Sequence, residues 1–193
     1  MTAERAAAMN TLIGLDLGTS ALKAVALDDA GTLLAQAGVA YLTGTPRSGW
    51  AEQQPADWRA AAFSALETLH EALNANALPT GLALSAQLPT LVLMDEQGAA
   101  LRPAIVWSDG RAGAEAAWLL DRIGAAEWYG RTGIVLDAHY LAPMHAWVAC
   151  TQAPLFASPR VAIPRLRSGG STGPTEVGGT SRQTKPTEKV LAR

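Results

Sequence analysis

Three features of the sequence predict an α/β fold. Strand-like runs joined by two short turns occupy residues 11–41. An amphipathic helical pattern follows from Pro55. Short strand and helix patterns then succeed one another to about residue 150.

The composition sets the scale. Of 193 residues, 49% are hydrophobic, and alanine alone supplies 39 positions. That suffices for one packed core and falls short of a large two-lobed enzyme. The single cysteine, Cys150, excludes an intrachain disulfide framework and a cysteine-based zinc site. No apolar run is long enough to span a bilayer, and Met1–Asn10 lacks the apolar segment of a signal peptide. The expectation is a cytoplasmic protein with no membrane partner.

The elements follow in order. Leu12–Asp16 is a short buried-strand pattern that runs into Leu17-Gly18-Thr19-Ser20. Ala21–Leu27 resumes a strand, and Asp28-Asp29-Ala30-Gly31 is a tight turn in which Gly31 is free to take positive φ. Leu33–Tyr41 completes an antiparallel meander. After a loop over 44–54, Pro55 opens a helix to residue 74, with Trp58, Ala62, Leu66, Leu69 and Leu73 on one stripe. Gly81–Ser85 reads as the next strand, and Leu88–Met94 with Ala100–Trp107 as a strand pair. The spacing of Asp28…Gly31 is echoed in Asp95…Gly98, 67 residues later. Ala112–Arg122, Ala125–Arg131 and Leu141–Ala149 are helical by composition, with Asp109 placed to cap the first.

The charge is uneven. Residues 1–158 carry 8 Lys+Arg against 15 Asp+Glu, while residues 159–193 carry 7 against 2. The acidic part excludes a nucleic-acid surface. Arg167–Arg193 is dominated by Gly, Ser, Thr and Pro, with too few apolar residues to offset ordering. The chain is therefore divided into a flexible N-terminus at 1–10, a folded part at 11–165 and a disordered basic tail at 166–193.

The strongest local constellation is Asp16-Leu17-Gly18-Thr19-Ser20, with Lys23 three residues on. A phosphate turn needs little steric bulk, so that backbone N–H groups reach the oxygens, and Gly18 supplies that. The Thr19 and Ser20 hydroxyls can donate to phosphate, Asp16 can hold Mg²⁺ directly or through water, and Lys23 adds positive charge. On five residues alone, an ordinary hairpin with an Asx-type turn is the simpler reading. Walker A and G-x-G-x-x-G patterns are absent. His70, His139 and His145 have no spaced co-ligands and read as structural or surface residues.

The company of this turn is more specific. Ile13-Gly14-Leu15-Asp16-Leu17-Gly18-Thr19-Ser20 with Lys23 resembles the opening phosphate motif of the FGGY family of carbohydrate kinases, within the actin-like, ribonuclease-H-like ATPase superfamily. Gly49-Trp50-Ala51-Glu52-Gln53 with Pro55 and Trp58, Gly81–Gln87, Leu101–Arg111 and Thr132-Gly133…Tyr140…Ala142-Pro143…Trp147 resemble further family segments in the same order. The resemblance covers roughly residues 11–150 and lies nearest the xylulokinase-like branch.

The resemblance implies a ribonuclease-H-like fold and ATP-dependent phosphorylation of a sugar or polyol hydroxyl, with ATP and Mg²⁺ as cofactors. It implies a metal role for Asp16 and ATP-phosphate contacts for Gly18, Thr19, Ser20 and Lys23. Gln87, Leu88, Trp107, Asp109 and Tyr140 fall on its substrate side. Plain alternatives stand beside these roles: core packing for Trp107 and Tyr140, a helix cap for Asp109, and an i+4 partnership of Arg111 with Glu115. Two positions depart from the branch, with Leu88-Pro89 where it has Met-His and Met144 where it has lysine. The family's catalytic aspartate and adenine pocket belong to a later part of its sequence. Correspondence is lost from Pro164, so the expectation is a truncated or frameshifted, inactive form. The other classes kept open are a non-catalytic sugar- or nucleotide-binding remnant, a subunit completed by a second polypeptide, and an interaction domain.

Overall fold

The computed structural model describes residues 9–73 and 77–156. Strands β1 (Met9–Leu17), β2 (Ala21–Leu27) and β3 (Leu33–Ala40) form the expected meander, each pair antiparallel. The short β4 (Glu52–Gln53) leads into α1 (Pro55–Ala72), and β5 (Ala77–Ala86) returns parallel to β1. A parallel return needs a crossover, which α1 provides. The sheet order is β3-β2-β1-β5, so β1 is interior and carries Asp16 near its end. This order, with β1 between an antiparallel and a parallel neighbour, is the α/β sheet arrangement expected of the ribonuclease-H-like, actin-like ATPase class.

The two sides of β1 differ because side chains alternate across a strand. Ile13 and Leu15 are buried with Leu22, Ala24 and Ala26 against Ala61, Ala65 and Leu69 of α1. Alanines at 61 and 65 keep the helix close to the sheet. Trp58, Ala62, Leu66 and Leu73 pack around this core as the stripe predicts. Asp16, on the other side, is exposed. Strand β5 is solvated on both faces, with Leu78, Leu82 and Leu84 exposed. Leu82 borders a groove of about 640 Å³ against Leu66, Leu69 and Leu73.

The β2–β3 turn is set by Asp28, whose Oδ1 accepts from the Ala30 and Thr32 amides at 2.9 and 2.8 Å, with Gly31 at φ 82°. Those backbone bonds, the one to Thr32 largest, hold the Asp28 carboxyl below its usual pKa. The Asp95 Oδ1 likewise accepts from the Gln97 and Ala99 amides, at 3.0 and 2.8 Å, with Gly98 at φ 80°. The 67-residue echo is thus one turn geometry used twice.

The strand pair expected over Leu88–Met94 and Ala100–Trp107 forms only as an interrupted antiparallel hairpin, in which Leu91 and Ile105 exchange both backbone hydrogen bonds and the Leu101 amide donates to the Leu93 carbonyl. That region holds the isolated bridges Met94↔Ala100 and Leu91↔Ile105, and the two-residue β6 (Ala104–Ile105) pairs with β4. Pro89 and Pro103 lack amide donors, which prevents a continuous ladder. Helices α2 (Gly113–Ile123), α3 (Ala125–Thr132) and α4 (Leu141–Thr151) lie where expected, followed by a 3₁₀ turn at Ala153–Phe156. A second core joins Leu91, Leu93 and Ile105 to Ala112, Met144 and Val148. Met9 and Asn10, expected within the N-terminal stretch 1–10, belong to β1, and residues 1–8 lie outside the described residues. The boundary expected at 165/166, and the tail beyond it, lie outside the described residues.

Leu69 is 1% exposed and Phe63, on the same helix, is 64% exposed. Denaturant unfolding is expected to show a loss of about 2–5 kcal/mol for Leu69→Ala. Phe63→Ala is expected to stay within about 0.5 kcal/mol. Equal losses would contradict the assigned core face.

Candidate active site

The turn between β1 and β2 is shaped from behind. The Gly18 amide donates to the Ala21 carbonyl at 3.1 Å, and a Cβ at Gly18 would stand 3.2 Å from that oxygen, so glycine fits and larger residues crowd the backbone. The Tyr41 hydroxyl donates to the Gly18 carbonyl. The Gln53 Nε2 donates to the Thr19 carbonyl at 2.6 Å, and the Tyr41 amide donates to the Ser20 carbonyl at 3.2 Å. In a planar trans peptide the N–H points opposite to the C=O. Holding the Gly18 and Thr19 carbonyls inward therefore turns the Thr19 and Ser20 N–H groups outward. Both residues are exposed, and among the described residues neither amide has an acceptor.

Asp16 adjoins this turn. It is opposite Lys23 in the β1–β2 register and Ser85 in the β1–β5 register. These three line a cleft of about 500 Å³ with Gly14, Val25 and Ala83. Burial, and secondarily the charge of Asp16, raises the Tyr41 phenol above its usual pKa of 10.0. Among the described residues no group of three or more His, Cys, Asp or Glu is placed to enclose a metal ion. A lone carboxylate beside outward amides suits Mg²⁺, which keeps waters and is shared with phosphate oxygens rather than caged by protein.

The second half of the site starts where β5 ends. The Gln87 amide donates to the Leu17 carbonyl at 2.8 Å, and its Nε2 donates to Gln53 Oε1 at 2.7 Å. The Gln87 Oε1 is buried and has no hydrogen-bond partner among the described residues. The Trp107 indole donates to Thr19 Oγ1 at 3.0 Å while its side chain stays 43% exposed. Leu88 is exposed next to Gln87. The structure thus gathers Asp16, Gly18, Thr19, Ser20, Lys23, Gln87, Leu88 and Trp107 around the carboxyl ends of β1 and β5.

Asp109 and Tyr140 are placed otherwise. Asp109 is fully buried, and its carboxylate accepts from the Ala51 amide at 2.6 Å, the Arg111 amide at 2.9 Å and the Arg111 guanidinium at 2.9 and 2.7 Å. It neither borders the cleft nor caps α2, whose N-cap is Ala112. Arg111 has no exposed side-chain surface, so its partners are Asp109 and Glu52 (2.7 Å) rather than the expected Glu115. Its guanidinium lies 3.8 Å from the Trp50 ring and 4.9 Å from the Trp147 ring. Arg102 also pairs with Glu52, although burial, the largest influence, lowers its pKa. Tyr140 is the N-cap residue of α4 and has no hydrogen bond to Thr19, Gln87 or Trp107.

Sequence reasoning missed Tyr41, Thr43 and Gln53 as builders of the turn. The Gln53 signal was present in the run Trp50–Gln53, but its partners lie 10 and 34 residues away.

Fold and site together define an α/β sheet domain with a protein-shaped turn at the end of an interior strand. Residues 11–158 match the FGGY family of carbohydrate kinases, N-terminal domain. Xylulose kinase of Klebsiella pneumoniae is 33% identical over 165 residues, covering 82% of this chain and 33% of the relative. Glycerol kinase of Acidovorax ebreus (strain TPSY) is 32% identical over 142 residues, covering 72% and 28%. Among solved structures, a xylulose kinase from Rhodospirillum rubrum aligns with TM-score 0.73 at 32% identity, covering 77% of this chain and 30% of that one. A sugar kinase described as "xyloylose kinase" from Brucella ovis aligns with TM-score 0.72 at 34% identity, covering 78% and 32%. The chain belongs to the FGGY family of carbohydrate kinases and spans about a third of the length of these relatives.

Two measurements check the geometry. The raised Tyr41 pKa favours the neutral phenol, a contribution to stability present below pH 10.0 and lost as pH rises through the folded value. Asp16→Asn is expected to lower the Tyr41 midpoint in a tyrosinate absorbance titration; an unchanged midpoint would contradict the Asp16–Tyr41 proximity. Arg111→Leu strands buried carboxylates and is expected to cost about 3–5 kcal/mol in denaturant unfolding. A loss below about 1 kcal/mol would show that the network is exposed and weak.

Proposed function

We propose that this chain supplies phosphate-binding and acceptor-binding parts of an ATP-dependent sugar or polyol kinase. The observation that carries the reading is the outward pair of N–H groups at Thr19 and Ser20, formed because the flanking carbonyls are held from behind, beside the exposed Asp16. Preorganised N–H groups bind phosphate oxygens without rearranging. Asp16 would hold Mg²⁺ on the same phosphates, and Lys23 adds charge across the strand pair. When bound, Mg-ATP supplies the phosphoryl group and much of the charge neutralisation in such transfers.

Gln87 and Trp107 support a neutral, hydroxyl-bearing acceptor. The Gln87 Oε1 is a buried acceptor that a hydroxyl donor would satisfy. The half-exposed Trp107 ring offers an apolar face against the carbon skeleton. Pro89, with no hydrogen-bonding side chain, stands where the xylulokinase-like branch has a histidine, which favours an acceptor with fewer hydroxyls at that point. Asp109 acts at a distance in this reading, by holding Arg111 and the Ala51 amide. A base toward the acceptor hydroxyl has no candidate among the described residues, since Asp16 is committed to the metal and Asp109 is buried.

Isothermal titration of the chain with Mg-ATP tests the reading. Tyr41→Phe frees the Gly18 carbonyl and is expected to weaken binding about fivefold, the worth of one hydrogen bond. Asp16→Ala is expected to weaken it further and to remove its dependence on Mg²⁺. Undiminished Mg-ATP affinity in both variants would sink the assignment.

A further inference from the structure

We propose that Gln53 is a positioning residue that couples the phosphate turn to the acceptor side of the cleft, so that an anion on the turn is felt at Gln87. The coupling within the protein stands on geometry alone. Its response to nucleotide rests on the proposed function.

Gln53 is 2% exposed and uses every hydrogen-bonding position of its amide. Nε2 donates to the Thr19 carbonyl and to Thr43 Oγ1, each at 2.6 Å. Oε1 accepts from the Trp58 indole at 3.0 Å and from Gln87 Nε2 at 2.7 Å. The orientation is fixed by chemistry, because a carbonyl only accepts and an indole only donates. A fully occupied buried amide has one low-energy placement.

The Thr19 carbonyl and the Ser20 N–H belong to one rigid peptide plane. Gln53 therefore holds one end of the group whose other end is offered to a ligand. A pull on the Ser20 N–H tilts that plane, moves the Thr19 oxygen against Gln53, and passes to Gln87 through Oε1. Trp107 joins the same circuit through Thr19 Oγ1. Gln53 touches neither ligand in this arrangement. It sets the relation between the groups that do.

Nitrogen-15 NMR of the chain tests the coupling in two arms. Without ligand, Gln53→Glu removes both donors at nearly constant volume. It is expected to shift the Ser20 amide, which shares a peptide plane with the Thr19 carbonyl, and the Trp107 indole, which Gln53 does not touch. Gln87→Leu, a milder change at the far end, is expected to shift the Ser20 amide as well. A residue that only fills space would leave these signals in place, and unchanged Ser20 signals in both variants would overturn the proposal. If Gln53→Glu does not fold, Gln87→Leu decides this arm alone. With Mg-ATP, the unsubstituted chain is expected to show shifts at Ser20 and at the Gln87 side-chain amide, and Gln53→Glu only the first. A Gln87 response that persists in Gln53→Glu would also overturn it. Absence of any Mg-ATP shift in the unsubstituted chain would instead count against the nucleotide reading, leaving the ligand-free arm to judge the coupling.

Discussion

A guanidinium removed from water must be surrounded by compensating groups, and Arg111 organises much of this domain by that requirement. Asp109 and Glu52 neutralise it, and the rings of Trp50 and Trp147, edge-on to one another at 5.2 Å, enclose it. The segment before α1, the loop after β6 and helix α4 are thereby drawn to one point. The pairing of β4 with β6 is only two residues long and contributes little by itself. Its neighbours make the junction firm: the Ala51 amide on Asp109, the Val106 amide on the Ala51 carbonyl and the Gly110 amide on the Gly49 carbonyl. Gln53 inherits its position from Glu52, and the β1–β2 turn inherits its shape from Gln53 and Tyr41.

The site therefore differs from a loop that happens to contain glycine and hydroxyls. Its backbone polarity is directed, because carbonyls that would repel an anion are each taken up by the protein. The donors come from the end of β3 and from β4, elements outside the hairpin. A hairpin of the same local sequence without Tyr41 and Gln53 would leave its carbonyls free to rotate toward the ligand.

The meander was legible because its information is local: alternating apolar residues, and an Asp-to-Gly turn closed within five residues. The α1 face was legible from helical periodicity, and Asp16 from its place at the end of an apolar run. The region 88–107 pairs less regularly than its apolar pattern suggests because two prolines interrupt it, and because β6 is shared between Leu91 on one side and β4, some 52 residues earlier, on the other. Asp109 and Arg111 were misjudged for a related reason. Spacing along a helix suggests a cap and an i+4 pair, but Ala51 and Glu52 lie 58 and 59 residues away and offer full burial. Those contacts follow from tertiary closure, to which local spacing is blind. The shaping of the turn carbonyls was hidden in the same way, since Tyr41 is 23 residues from Gly18 and Gln53 is 34 from Thr19.

The outer strand of the sheet has a bearing on handling. Among the described residues β5 is hydrogen-bonded to β1 alone, so its free edge carries backbone donors and acceptors flanked by exposed leucines. Pro79 withholds one donor near its start, but Gly81–Ala86 contains no proline and no charge. Such a stretch has few of the features by which soluble proteins discourage strand-to-strand self-association. Where that edge stays unpaired, self-association would be set by these six residues at the rim rather than by the stability of the core. A lysine introduced at position 82 or 84 would act on solubility without touching the β1–β2 turn.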